Sequence, residues 1–123
     1  MKFTIYGNPV TKKNHGIIRM IHNHPIMLPS KPYLEYEKQS KQYIPKLSSP
    51  INTPINLKCT YYMQTKRKCD LVNLLQATCD ILVKYKVLED DNYSIIYSFD
   101  GSSVSYDKDN PRVEIDITKR DFN

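Results

Sequence analysis

The stretch INLKCTYYMQTKRKCDLVNLLQATCDILVKYK, residues 55–86, changes its hydrophobic period halfway along, and that change decides the fold. Ile55, Leu57, Cys59, Tyr61 and Met63 occupy every second position, the pattern of a strand with one buried face. A basic triplet, Lys66-Arg67-Lys68, follows, and Asp70 then stands where a helix N-cap belongs. Leu71, Leu74, Leu75, Thr78, Ile81, Leu82 and Tyr85 recur three and four apart, an apolar helical stripe running to about Lys86. The other side of this helix presents Asp70, Asn73, Ala77, Asp80 and Lys84.

Upstream, Phe3 and Ile5 alternate with polar neighbours as a short strand ending at Gly7-Asn8-Pro9. Residues 8–30 form a long connection with Lys12, Lys13, His15 and Arg19. Inside it, two apolar runs flank His22-Asn23-His24-Pro25 as a small hairpin. Connections of this length are usually functional or mobile. Ser30 as N-cap and Pro32 in the first turn open a helix. Tyr33, Tyr36, Ser40, Tyr43 and Ile44 keep its spacing until Pro45. Downstream, Tyr93, Ile95, Tyr97 and Phe99 alternate as a strand, and Asp100-Gly101 marks a turn. Val104 and Tyr106 extend the sheet, and Val113, Ile115 and Ile117 form the last strand. The expectation is one α+β domain over residues 1–123: a small mixed, largely antiparallel sheet of about four or five strands with two helices.

Of the 123 residues, 40% are hydrophobic and 25% charged, enough to bury a core and too balanced for a disordered tail. No apolar run approaches the ~20 residues of a membrane helix. The opening Met1–Ile5 lacks the long apolar region of a signal peptide. Three cysteines, with no C-x-x-C pair, fit a reducing cytosol better than a disulfide framework. Charge is unevenly spread. Residues 1–68 carry 12 Lys/Arg against Glu35 and Glu37, a balance of +10, and residues 69–123 carry 6 against 11 acids, a balance of −5. A basic half beside an acidic half suits a polyanion-binding surface next to carboxylates.

Asp70 at a helix start and Glu89-Asp90-Asp91 between that helix and the next strand are the candidate metal ligands. Carboxylates so placed suit Mg²⁺ and leave positions for water and phosphate, and an ion held there promotes phosphodiester hydrolysis. The plainer alternative is an N-cap and a solvated turn. A helix over residues 71–85 is about 22 Å long, so Asp70 stands at the opposite end from Asp90 and Asp91. Asp80 is better placed to meet them. A site uniting both ends calls for a second subunit, and two-fold pairing of the helices offers one. The cations Lys12, Lys13, His15 and Arg19, with Lys66, Arg67 and Lys68, are candidates for the phosphate backbone. His22 and His24 lack a third ligand, most of the ten tyrosines fall on apolar stripes, and three scattered glycines build no phosphate loop.

Gly7-Asn8-Pro9-Val10-Thr11-Lys12-Lys13-Asn14 and Lys68-Cys69-Asp70-Leu71-Val72-Asn73-Leu74-Leu75-Gln76 are followed in order by Asp80-Ile81-Leu82, Val87-Leu88-Glu89-Asp90-Asp91 and Pro111-Arg112-Val113-Glu114-Ile115. Together these resemble the RusA family of Holliday-junction resolvases, often carried by phages and prophages. The resemblance implies a small, homodimeric, Mg²⁺-dependent endonuclease, with Mn²⁺ as a substitute ion, in the cytoplasm of a bacterial host. Its substrate would be the four-way junction of DNA recombination and repair, nicked symmetrically in two strands. Asp70 and Asn73 fall on the family's first acidic segment, and Asp90 and Asp91 on its later acidic pair. The implied catalytic residues are Asp70, Asp90 and Asp91, with Asp70, Asp91 and Asp80 as metal ligands. The segment's middle acid falls on Val72 and a later lysine on Gln76, which keeps open a catalytically silent junction-binding protein of the same fold.

Overall fold

The computed structural model describes residues 1–12 and 17–120. Its elements follow the order β1 (Lys2–Tyr6), β2 (Ile17–Ile21), β3 (His24–Leu28), α1 (Lys31–Ser40), β4 (Ile55–Met63), α2 (Leu71–Lys84), β5 (Ile96–Ser98), β6 (Ser103–Tyr106) and β7 (Arg112–Lys119). The main sheet runs β1-β7-β4-β5, with β6 also paired to β4, and β2 and β3 form a separate hairpin. The architecture is therefore a small α+β fold, with β7 antiparallel to both β1 and β4 and the short β5 and β6 parallel to β4.

The alternation in β4 does what its period demands. Leu57, Cys59 and Tyr61 are buried, while Lys58 is exposed. Register places Tyr61 opposite Val113, which also faces Ile5, and Cys59 opposite Ile115, which faces Phe3. These rows meet Leu74, Leu75, Ile81 and Leu82 of α2 in one core. Full burial of a Leu or Ile side chain contributes about 1.5–3 kcal/mol. The Tyr61 hydroxyl and Thr78 Oγ1, both buried, share a hydrogen bond of 2.6 Å that ties strand to helix. All three cysteines are free, and burial pushes the thiols of Cys59 and Cys79 up to about 12.

Both helices begin as their caps direct. Ser30 Oγ accepts from Tyr33 N at 3.3 Å with Pro32 in the first turn, and Asp70 Oδ1 accepts from Val72 N at 3.0 Å. The α1 spacing continues past Ser40 only as a 3-10 turn, Lys41–Tyr43. At the end of α2, Lys86 takes a positive φ of 62°. Lys86 N then donates to Val83 O and Val87 N to Leu82 O, the paired bonds that close a helix and reverse the chain. Val87 and Leu88 fold into the core, and Glu89–Asp91 emerge beside the last turn.

Two local readings are corrected. The alternation over Tyr93–Phe99 shrinks to β5, because Asn92 organises a turn there: its Oδ1 accepts from Ser94 N at 3.0 Å and its carbonyl from Ile95 N and Ile96 N. Tyr93 is left 88% exposed. Ala77, expected on the polar side of α2, is buried. The helix is covered on more than one side, with α1 reaching it through Glu37, which meets Lys84 and Tyr85.

Candidate active site at the two ends of helix α2

Fourteen residues make α2, and at about 1.5 Å each they hold its ends some 21 Å apart. Asp70 caps one end. Asp80 lies near the other, where a cleft of about 380 Å³ is lined by Lys12, Glu37, Asp80, Val83, Lys84, Asp90 and Asp91. The sequence-level geometry is thus what the structure displays: Asp80 joins Asp90 and Asp91, and Asp70 does not.

Inside the cleft, Lys12 Nζ lies 3.0 Å from Asp80 Oδ2, while Gln76 Nε2 donates to Asp80 Oδ1 at 3.1 Å. The Lys12 ammonium also sits 5.3 Å from the centre of the Tyr33 ring. Asp90 is engaged locally, its two oxygens accepting from Asp91 N at 2.7 Å and Asn92 Nδ2 at 3.2 Å. The Asp91 carboxylate accepts no hydrogen bond among the described residues, and it is exposed.

Glu37 of the cleft wall, and Tyr33, whose ring lies under the Lys12 ammonium, carried no sequence signal of a site. Glu37 is buried and ion-paired with Lys84, and its hydrogen bond raises the Lys84 ammonium above the ordinary lysine value. Tyr33 is wholly buried, and its hydroxyl has no hydrogen-bond partner among the described residues. Burial first, then the Glu37 charge, keeps that hydroxyl protonated well above its ordinary range. The one available hint was spacing: Glu37 follows Tyr33 by four on the buried face of α1.

The start of α2 borders a larger cavity, about 610 Å³, whose lining includes Asn8, Val10, Arg67, Lys68, Asp70 and Asn73. Residues 8–11 line this cavity and Lys12 the acidic cleft, so the segment after β1 runs along α2 from one end to the other. Lys66 stands nearby, its ammonium 5.1 Å from the Tyr106 ring centre. Helix α2 therefore has a cationic end, with Lys66, Arg67 and Lys68, and an anionic end, with Asp80, Asp90 and Asp91. Arg19 is exposed on β2. Lys13 and His15 lie outside the described residues.

Oxygen ligands of this kind suit a hard divalent cation, and Asp80 and Asp91 line the same cleft. Among the described residues of one chain, however, no three acidic, His or Cys side chains group closely enough to hold it. No helix among them is long and apolar enough to cross a membrane.

Carboxylates at one end of a helix and a basic triplet at the other, on a small α+β fold, are features that metal-dependent nucleases use. Within that class the sequence match is specific: the chain belongs to the endodeoxyribonuclease RusA family, whose model matches residues 6–118. That family comprises metal-dependent nucleases that bind branched DNA and resolve Holliday junctions. No curated protein matches the chain.

Proposed function

We propose that this chain, as one domain over residues 1–123, is a Mg²⁺-dependent endonuclease that resolves four-way DNA junctions by paired nicks, acting as a homodimer in a phage-infected or prophage-bearing bacterial cytoplasm. The observation that carries this reading is the polarity of α2, with Asp80, Asp90 and Asp91 among the four carboxylates of one cleft and Asp70 with the basic triplet about 21 Å away. Antiparallel pairing of α2 from two copies sets the cationic end of each against the anionic end of the other. Val72, 70% exposed on the outer side of α2, is an apolar contact available to that pairing. Asp70 of one copy then approaches Asp80 and Asp91 of the next, completing what one chain leaves incomplete.

In this arrangement Asp70, Asp80 and Asp91 hold the cation, which supplies Lewis acidity for phosphodiester hydrolysis. Asp90 keeps the loop in place through its bonds to Asp91 N and Asn92. Lys12 offsets the negative charge of Asp80 before DNA arrives. Lys66, Arg67 and Lys68, with Lys13, His15 and Arg19, follow the phosphate backbone.

The test is cleavage of a labelled four-way junction with and without Mg²⁺ or Mn²⁺, comparing the wild type with Asp91→Asn. Paired nicks that need the metal and vanish in the variant are expected; absence of both binding and nicking by the wild type refutes the reading. One observation favours a second reading, a silent junction binder. Val72 offers no ligand, and Asp80 is met by the Gln76 amide. Tight binding without nicks identifies that case, and Val72→Asp is then expected to gain metal-dependent nicking.

A further inference from the structure

The hairpin of β2 and β3 exposes apolar side chains. Ile18 and Met20 are 64% and 67% exposed, and Ile21 and Ile26 are 44% and 40% exposed. No described residue of the hairpin belongs to the hydrophobic core or to the ring of side chains packed on it. Ile18 and Met20, two apart on β2, share a face, and Pro25 stands opposite Met20. His22 and Asn23, with φ of 51° and 64°, form the tight two-residue turn that suits strand twist. A lone two-stranded hairpin is marginal in water, and clustered exposed apolar groups mark a surface of contact.

Charge identifies the partner. Residues 1–34 contain no Asp or Glu, while Lys12, Lys13, Arg19 and Lys31 lie on or around the hairpin in sequence. Arg19 is exposed on β2 between Ile18 and Met20, while Lys12 meets Asp80 and Lys31 meets Glu35. An apolar patch on a cationic stretch of chain without an acid of its own matches unstacked bases flanked by phosphates. Ile, Met and Pro are side chains that enter base steps as wedges, and Lys and Arg hold the backbone beside them. We propose that Ile18 and Met20, backed by Pro25, form a wedge that enters the base steps where the arms of branched DNA diverge. The hairpin keeps the branch open while the backbone meets the carboxylates of α2. This inference rests on the reading of the chain as a protein that acts on branched DNA.

The experiment places 2-aminopurine at the branch point of a four-way junction. It follows fluorescence on binding, alongside affinity for the junction and for plain duplex. The wild type is expected to raise the fluorescence. Ile18→Ser/Met20→Ser is expected to lose that rise and to bind the junction about tenfold more weakly, with duplex affinity and thermal midpoint unchanged. Ile18→Leu/Met20→Leu keeps the apolar surface and is expected to retain the signal. If the Ser pair matches the wild type, the wedge is wrong, while wild-type nicking leaves the nuclease reading standing. A wild type that prefers duplex to junction overturns both. If the Ser pair instead shifts the protein from dimer to monomer in sedimentation, the hairpin joins copies of the chain and the wedge is again overturned.

Discussion

Arg112 opens β7 with its guanidinium held on several sides. Its Nε donates to Glu114 Oε2 at 2.9 Å, and one terminal nitrogen donates to Asp107 Oδ2 at 2.9 Å and to the Asn110 carbonyl at 2.8 Å. The plane also stacks over Tyr62, 3.9 Å from the ring centre. The hydrogen bond from Arg112 holds the Asp107 carboxyl below the usual carboxylate range. A group whose folded value is depressed stabilises the fold above its unfolded value and loses that contribution as pH falls through the folded one. Acid unfolding followed by circular dichroism below about pH 5 is therefore expected to be less steep in Asp107→Asn, and an identical curve would show the pair to be inert. The turn around Asp107 was legible from Asp107-Lys108-Asp109-Asn110-Pro111. The meeting of Lys12 with Asp80 was not, because no periodicity relates two residues so far apart in sequence.

Helix α2 shows what an element can and cannot announce about itself. Its start, stripe and end are set by neighbours within a turn or two, so the N-cap, the buried leucines and the distance between its ends all followed from spacing. Asp70 has two roles that can be separated by substitution. Asp70→Asn keeps a side-chain oxygen for Val72 N and is expected to retain the thermal midpoint while losing nicking. Asp70→Ala is expected to lose nicking and about 1 kcal/mol of stability as well. Equal destabilisation in both would remove the cap from the account, and full activity in Asp70→Asn would remove the metal role. The strand expected over Tyr93–Phe99 failed for the opposite reason. Its alternation was real, but Asn92 offered the backbone a local turn that satisfied Ser94, Ile95 and Ile96 first. The parallel direction of β5 and β6 was illegible because a period of two names a buried face and never a partner.

At the scale of the molecule, charge is sorted along one helix rather than dispersed. If the cationic end meets phosphate, replacing Lys66, Arg67 and Lys68 together with Ala should make the salt dependence of junction binding shallower, by about 0.9 in log–log slope for each phosphate no longer neutralised. An unchanged slope would move the DNA path elsewhere. The overall imbalance of charge was evident in the composition, and its concentration at two helix ends needed only the placement of α2. What composition could not supply was the second copy that brings those ends together.

The sheet order has a consequence for how the molecule is made. Among the described strands, β1 joins the sheet only through β7, and β4 also relies on β7 for its longest pairing. During translation at about 5–20 residues per second, the first strand waits roughly 5–20 seconds for that neighbour to emerge. Until Arg112–Lys119 is synthesised, Phe3, Ile5, Cys59 and Tyr61 lack the row of side chains that covers them. The nascent chain must therefore stay unaggregated with two open strand edges, and a ribosome that stalls shortly before Arg112 would leave a polypeptide with most of its residues and no continuous sheet.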